Sequence, residues 1–318
     1  MAVIYDGTLD QEVYKAVFGR EMEALANADP DVVYLDADLM NSMGTSGFWK
    51  RNPRQAINCG IAEANMMGIA AGLSAGGKKP YVHTFGPFAT RRCYDQLFLS
   101  IAYAGNSVRV FGSDPGVTAA FNGGTHMPFE DLALMRAIPG ATVIEISDGA
   151  MLKTLLWQIK DRPGLTYIRT GRKAYARVYS EDHPFTIGRG EVLRPGNAAT
   201  IFACGLMVGE ALKAAETLET QGISARVVDL FTIKPIDREL VEQAARETGH
   251  ILTAENHNVI GGLGDAVGDV VLSSGIACKM HKLGVQDLFG QVGPQAELQE
   301  HYGLTAQHIA QAVTKLLQ

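Results

Sequence analysis

Short apolar runs rich in β-branched residues alternate with longer stretches of helical spacing along the whole chain. VVYLDAD (32–38), KPYVHTF (79–85), VRVFGSD (108–114), ATVIEIS (141–147) and LTYIRT (165–170) predict a first set of strands. ATIFACG (199–205), ARVVDLF (225–231), HILTAEN (250–256) and KMHKLGV (279–285) predict a second. Most are continuously apolar and do not alternate, the pattern of parallel strands covered on both faces. Between them, Gln11 to Ala26 and Val208 to Gln221 carry helical apolar spacing with few breakers, and Ala306 to Leu317 reads as an amphipathic terminal helix. The fold class is α/β. Gly171 to Gly188 is rich in charge and turn formers and opens onto the second series. Two domains are therefore expected, residues 1–180 and 181–318.

Composition narrows the possible functions. The chain has 318 residues, 47% hydrophobic and 19% charged, enough for two ordinary cores. A net charge of -6 with no Lys/Arg run leaves no footprint for nucleic acid. The opening MAVIYDGTLD has neither a basic nor a long apolar region, so no secretory signal is expected. The longest weakly polar stretch, Met66 to Gly76, is too short and too Gly-rich to span a bilayer. Cys59, Cys93, Cys204 and Cys278 are scattered without a CxxC spacing, which predicts buried, reduced thiols and no zinc site. These features predict a cytoplasmic protein with no membrane contact.

Three segments carry candidate chemistry. In INCGIAEANMMGIAAGL (57–73), Gly60 ends a strand-like run and Glu63 falls in the first turn of a small-residue helix. There it either complements the helix dipole or faces an apolar cleft. In YVHTFGPFATRRCYDQL (81–97), Phe85 and Phe88 sit where a strand runs out, suited either to core packing or to stacking on a flat ring at the sheet's carboxyl edge. SDPGVTAAFNGGTHMPFEDL (113–132) is a long Gly/Ala-rich loop, and its His126 is either structural or a proton carrier near neutral pH. A fourth segment, GGLGDAVGDVV (261–271), resembles a dinucleotide-binding glycine loop but lacks the acid expected about twenty residues on; tight helix–sheet packing explains it better.

Taken in order, these segments resemble transketolases, specifically the C-terminal partner of those split into two chains. DADLMNS (36–42), GIAEANMMG, HTFGPFATRRCYDQ, GGTHMPFEDL, LTYIRTGRK, FTIKPID and ENHNVIGGLGDAV carry the similarity nearly end to end. The resemblance implies a pyrimidine-binding domain followed by a transketolase C-terminal domain. It implies thiamine diphosphate and Mg²⁺ as cofactors, with the aminopyrimidine on this chain and the diphosphate and metal on a partner N-terminal subunit, in a two-plus-two assembly. The family's Gly-Asp-Gly metal motif does not occur here. Glu63 matches the catalytic glutamate, whose hydrogen bond to a pyrimidine nitrogen favours the imino tautomer that deprotonates the thiazolium carbon. Burial is expected to raise its pKa against the pull of the helix terminus. Phe85 and Phe88 match the pyrimidine pocket, and Asp38 and Leu39 match residues beside the cofactor. His126 matches the substrate histidine, while Arg169 and Ser42 match residues at the anionic sugar end, where a guanidinium fork suits a tetrahedral oxyanion.

Three departures fall at that same end. Asn122 stands where the family has an Asp that reads sugar hydroxyls. Ser113 stands for a phosphate-binding histidine, in a loop about one residue longer. Lys15 replaces an arginine, keeping charge but losing the fork. The expectation is ketol transfer on an altered sugar, with a sulfonate, an unusual branch or a different chain length. Rival readings are the beta subunit of a 2-oxoacid dehydrogenase, a deoxyxylulose-phosphate synthase fragment, a non-catalytic regulatory subunit, and a nucleotide-binding oxidoreductase suggested by the Gly261 loop alone.

Overall fold

The computed structural model describes residues 3–318; Met1 and Ala2, which open the expected first domain and the N-terminus read as leaderless, lie outside them. Among the described residues, twelve strands form two sheets. In chain order they are β1 (Val32–Asp36), β2 (Ala56–Asn58), β3 (Lys79–Phe85), β4 (Val108–Ser113), β5 (Thr142–Glu145), β6 (Leu165–Thr170), β7 (Glu191–Arg194), β8 (Ala199–Ala203), β9 (Ala225–Asp229), β10 (Thr232–Lys234), β11 (His250–Asn258) and β12 (Lys279–Val285). The first sheet runs β10-β5-β6-β4-β3-β1-β2 and the second β12-β11-β8-β9-β7. Pairing is parallel except at β10 on β5 and β7 on β9.

All nine predicted strands are present. The reason is visible in their burial: β1, β4, β5, β6 and β8 are buried along their whole length, so no polar alternation is needed. Helix Tyr14–Ala28 covers one face of the first sheet with Phe18 and Met22, while Met66 and Met67 of helix Glu63–Ala75 cover the other. β2 falls in the strand-like run that Gly60 ends, while the strands that the sequence did not announce, β7 and β10, are four and three residues long, too short for a period to show.

β10 has a consequence for domain organisation. It comes from the second half of the chain yet pairs antiparallel with β5 of the first sheet, Thr232 opposite Ile144. The cores are shared in the same way. One joins Phe18, Tyr34 and Tyr81 to Leu206, Phe231 and Ile309; the other joins Leu35, Val82 and Val110 to Phe202, Ile251 and Val267.

A buried polar junction crosses the same boundary. Arg169 of β6, fully buried, donates to Asp131 Oδ2 (2.8 Å), Glu145 Oε1 (3.0 Å) and the carbonyl oxygens of Pro128 (3.1 Å) and Asn256 (2.9 Å). Beside it, the Glu255 carboxyl accepts from the amides of Leu263 (2.6 Å) and Gly264 (2.9 Å), capping helix Leu263–Ser274. A Cβ at Gly262 would overlap that carboxyl, so the glycine loop serves close packing and its amides hold a side chain of the protein itself. Among the described residues no helix is long and apolar enough to cross a membrane.

Candidate functional site

Parallel strands bring their carboxyl ends to one edge, and ligands of open α/β sheets bind there. At that edge of the first sheet lie Asp36 (β1), Asn58 (β2), Phe85 (β3), Ser113 (β4) and Thr170 (β6). The segments leaving these ends supply most of the expected site.

Glu63 opens helix Glu63–Ala75, as its spacing predicted, and its side chain is buried. Its Oε1 accepts from Arg92 Nη1 at 2.9 Å. Arg92 lies on the single turn Arg91–Cys93, which aims it back at the helix, and its guanidinium rests 3.7 Å from the Phe88 ring centroid. Phe85 and Phe88 meet edge-to-face, and the His126 ring stands edge-on to both, with centroids 5.5 and 5.0 Å away. Glu63, Phe85, Phe88 and His126 are thus gathered into one aromatic-walled cleft, with Arg92 as a member that the sequence reading missed. Burial, then the Arg92 charge, hold His126 below the ordinary histidine range, so its ring is neutral at pH 7. Thr125 Oγ1 lies 2.9 Å from its Nδ1.

Asp38 is exposed at φ 65° and accepts from Asn58 Nδ2 at 2.8 Å, which ties its turn to the approach of Glu63. Leu39 is half-buried, its amide donating to the Asp36 carboxylate. Ser42 follows in the same loop, its amide bonded to the Leu39 carbonyl. Lys15 is exposed near the start of the first helix, and Asn122 is exposed at the end of turn Gly116–Asn122, beside the backbone kink at Ala120 (φ 47°). Among the described residues, three of the four non-glycine residues with positive φ, Asp38, Asp114 and Ala120, surround this edge, where strained backbone tends to gather around functional sites.

Two expected substrate residues are displaced from the site. Arg169 cannot grip a sugar's anionic end: its guanidinium is enclosed and already shared among two carboxylates and two carbonyls. Ser113 is equally enclosed, with its Oγ 3.0 Å from His83 Nε2. A second guanidinium at the cleft, besides that of Arg92, belongs instead to Arg172, three residues beyond Arg169. Its Nε and Nη2 lie 2.8 and 2.5 Å from the two oxygens of Asp114, and its charge stands 5.1 Å from the Phe85 ring centroid. The Lys15 amide donates to the Arg172 carbonyl at 3.1 Å, which joins the backbones of the two residues. LTYIRTGRK contained both arginines, and only the way the chain leaves β6 separates the interior one from the one at the rim.

The donor set fits one half of the expected cofactor. A buried carboxyl beside two phenylalanines suits a flat ring with a nitrogen to be hydrogen-bonded. For the charged half, no group of three or more His, Cys, Asp or Glu able to hold a metal converges among the described residues.

Comparison with known proteins gives a consistent picture. Residues 11–177 match the transketolase pyrimidine-binding domain, and residues 188–309 match the transketolase C-terminal domain. The chain is 48% identical over 287 residues to the 6-deoxy-6-sulfo-D-fructose transketolase subunit SqwH of Clostridium sp. (strain MSTE9), covering 90% of this chain and 89% of that one. It is 35% identical over 312 residues to human transketolase, covering 97% of this chain but 49% of the human protein. A solved split-gene transketolase, described as an inactive beta4 tetramer, superposes with a TM-score of 0.89 at 42% identity over 96% of this chain and 98% of its own.

Proposed function

Because this chain belongs to the transketolase family and carries its pyrimidine-binding and C-terminal domains, we propose that it is the C-terminal subunit of a two-chain, thiamine diphosphate-dependent transketolase. The observation that carries the reading is the convergence of Glu63, through Arg92, on the Phe85–Phe88–His126 cleft. Human transketolase is about twice as long, which supports a partner supplying the remaining half of the site. The solved relative's inactive tetramer of beta chains supports the same conclusion for this chain alone.

When bound, thiamine diphosphate supplies the carbon that carries the two-carbon unit. This chain's own residues have separate tasks. Glu63 would offer its carboxyl, oriented by Arg92, to a ring nitrogen of the pyrimidine. Phe85 and Phe88 wall the ring and exclude water, while Asp38 and Leu39 border it. His126, neutral at its depressed pKa, offers a hydrogen bond to the donor's carbonyl end. Arg172 and Lys15 face the far anionic end, with Ser42 and Asn122 disposed toward the sugar chain. The diphosphate and Mg²⁺ are assigned to the partner, in a two-plus-two complex.

The donor we propose is a ketose bearing a terminal sulfonate, the class named for the Clostridium relative. Asp114 already pairs with Arg172, so the pair adds little net positive charge, which suits a monoanion better than a phosphate dianion. The test is a coupled assay of the reconstituted pair on ketose sulfonates and ketose phosphates. Sulfonate should be preferred, and equal turnover of xylulose 5-phosphate would remove the sulfonate assignment. Glu63→Gln should abolish turnover while the complex still assembles; surviving activity would exclude Glu63 from the chemistry.

A further inference from the structure

Beneath the cleft, three polar side chains are sealed in the first sheet. Asp36 ends β1, His83 lies in β3 and Ser113 ends β4, and all three are fully buried. His83 Nδ1 lies 2.8 Å from Asp36 Oδ2, and His83 Nε2 lies 3.0 Å from Ser113 Oγ. A carboxylate only accepts, so Nδ1 is assigned the proton toward Asp36, and in a neutral ring Nε2 accepts from the Ser113 hydroxyl. The same carboxylate accepts from Tyr34 OH at 2.6 Å and from the Leu39 amide. Enclosure leaves no path for a substrate to the Ser113 oxygen, so this serine–histidine–aspartate chain is not a hydrolytic site.

Its ends lie where the function needs accuracy. Asp36 holds Leu39, the residue after the positive-φ Asp38. Ser113 directly precedes the positive-φ Asp114, which grips Arg172. The immediate surroundings are aromatic, Phe18 beside His83 and Tyr81 stacked on Phe111, where apolar residues would pack without desolvating polar groups. The imidazole spans β3 and links the ends of its two neighbours, β1 and β4, in the sheet.

We propose that His83 is a positioning residue that couples the Asp38–Leu39 turn at the cofactor to the Asp114–Arg172 pair at the substrate anion. This rests on the two-chain transketolase reading for what the turns bind, but not for the coupling itself. Cutting the chain at one end must therefore be felt at the other. Ser113→Ala removes one hydroxyl at the substrate end. In the isolated chain, hydrogen exchange of the Leu39 amide should accelerate about fivefold to tenfold, the loss of roughly one hydrogen bond's worth of protection. Amides of helix Leu206–Thr220 should stay unchanged. In the reconstituted pair, the donor KM should rise by a similar factor with kcat within about twofold. Unchanged Leu39 exchange in Ser113→Ala would overturn the coupling, as would kcat, KM and Tm all deteriorating together. A wild-type pair without ketol transfer would defeat the enzyme reading alone, because the exchange experiment needs no turnover.

Discussion

At the scale of single residues, the neighbours of a titratable group set its behaviour. His126 is held low by burial and by Arg92, so Arg92→Gln should raise its pKa toward 6.5, observable as a shifted imidazole titration in NMR. Asp229 shows the opposite case. Burial pushes its carboxyl up to about 8 from an unfolded value of 3.8, with Tyr179 OH donating to Oδ2 at 2.9 Å. Such a carboxyl contributes stability fully present below pH 3.8 and lost as pH rises through about 8. Asp229→Asn should therefore flatten part of the decline in urea midpoint between pH 5 and 8. Part of the slope should remain, because Glu255 is also pushed up to about 8 and loses its contribution in the same direction. The two arginines of LTYIRTGRK should separate cleanly. Arg169→Leu leaves Asp131 and Glu145 without their cation and should cost about 3–5 kcal/mol of stability by calorimetry. Arg172→Leu should instead raise the donor KM about tenfold or more, the loss of a charge-assisted contact.

At the scale of elements, the fully buried strands were legible because parallel strands in a covered sheet need only apolar continuity. The placement of Glu63 in a first helical turn was legible too, since Gly60 ends the preceding run and small residues follow. What escaped were features decided by direction and not by pattern. Adjacent Arg91 and Arg92 look equivalent in the sequence, but a single turn sends Arg91 to Glu130 and Arg92 to Glu63. Arg169 and Arg172 differ only in which side of a strand end they occupy. His83, a polar residue amid the apolar KPYVHTF, was the one available signal for the buried chain beneath the site. The glycine loop within 261–271 packs closely, with Gly262 against the Glu255 carboxyl. Gly262→Ala should be strongly destabilising, because its methyl meets the Glu255 carboxyl, and a fallen Tm would register it.

At the scale of the whole molecule, the proposed function divides the cofactor site between two chains, with the aromatic and carboxyl half on this one. Calorimetry should find negligible affinity of thiamine diphosphate for this chain alone and Mg²⁺-dependent affinity once the partner is added. Tight binding by the isolated chain would contradict the division of the site. The shared cores bear on how the polypeptide can be cut. Strand β10 closes the β5 edge of the first sheet from beyond residue 230. A fragment ending at residue 187 would keep every catalytic candidate yet leave that edge with unpaired amides and carbonyls, open to joining its copies. A cut of this chain between its two halves would therefore expose the β5 edge that β10 covers.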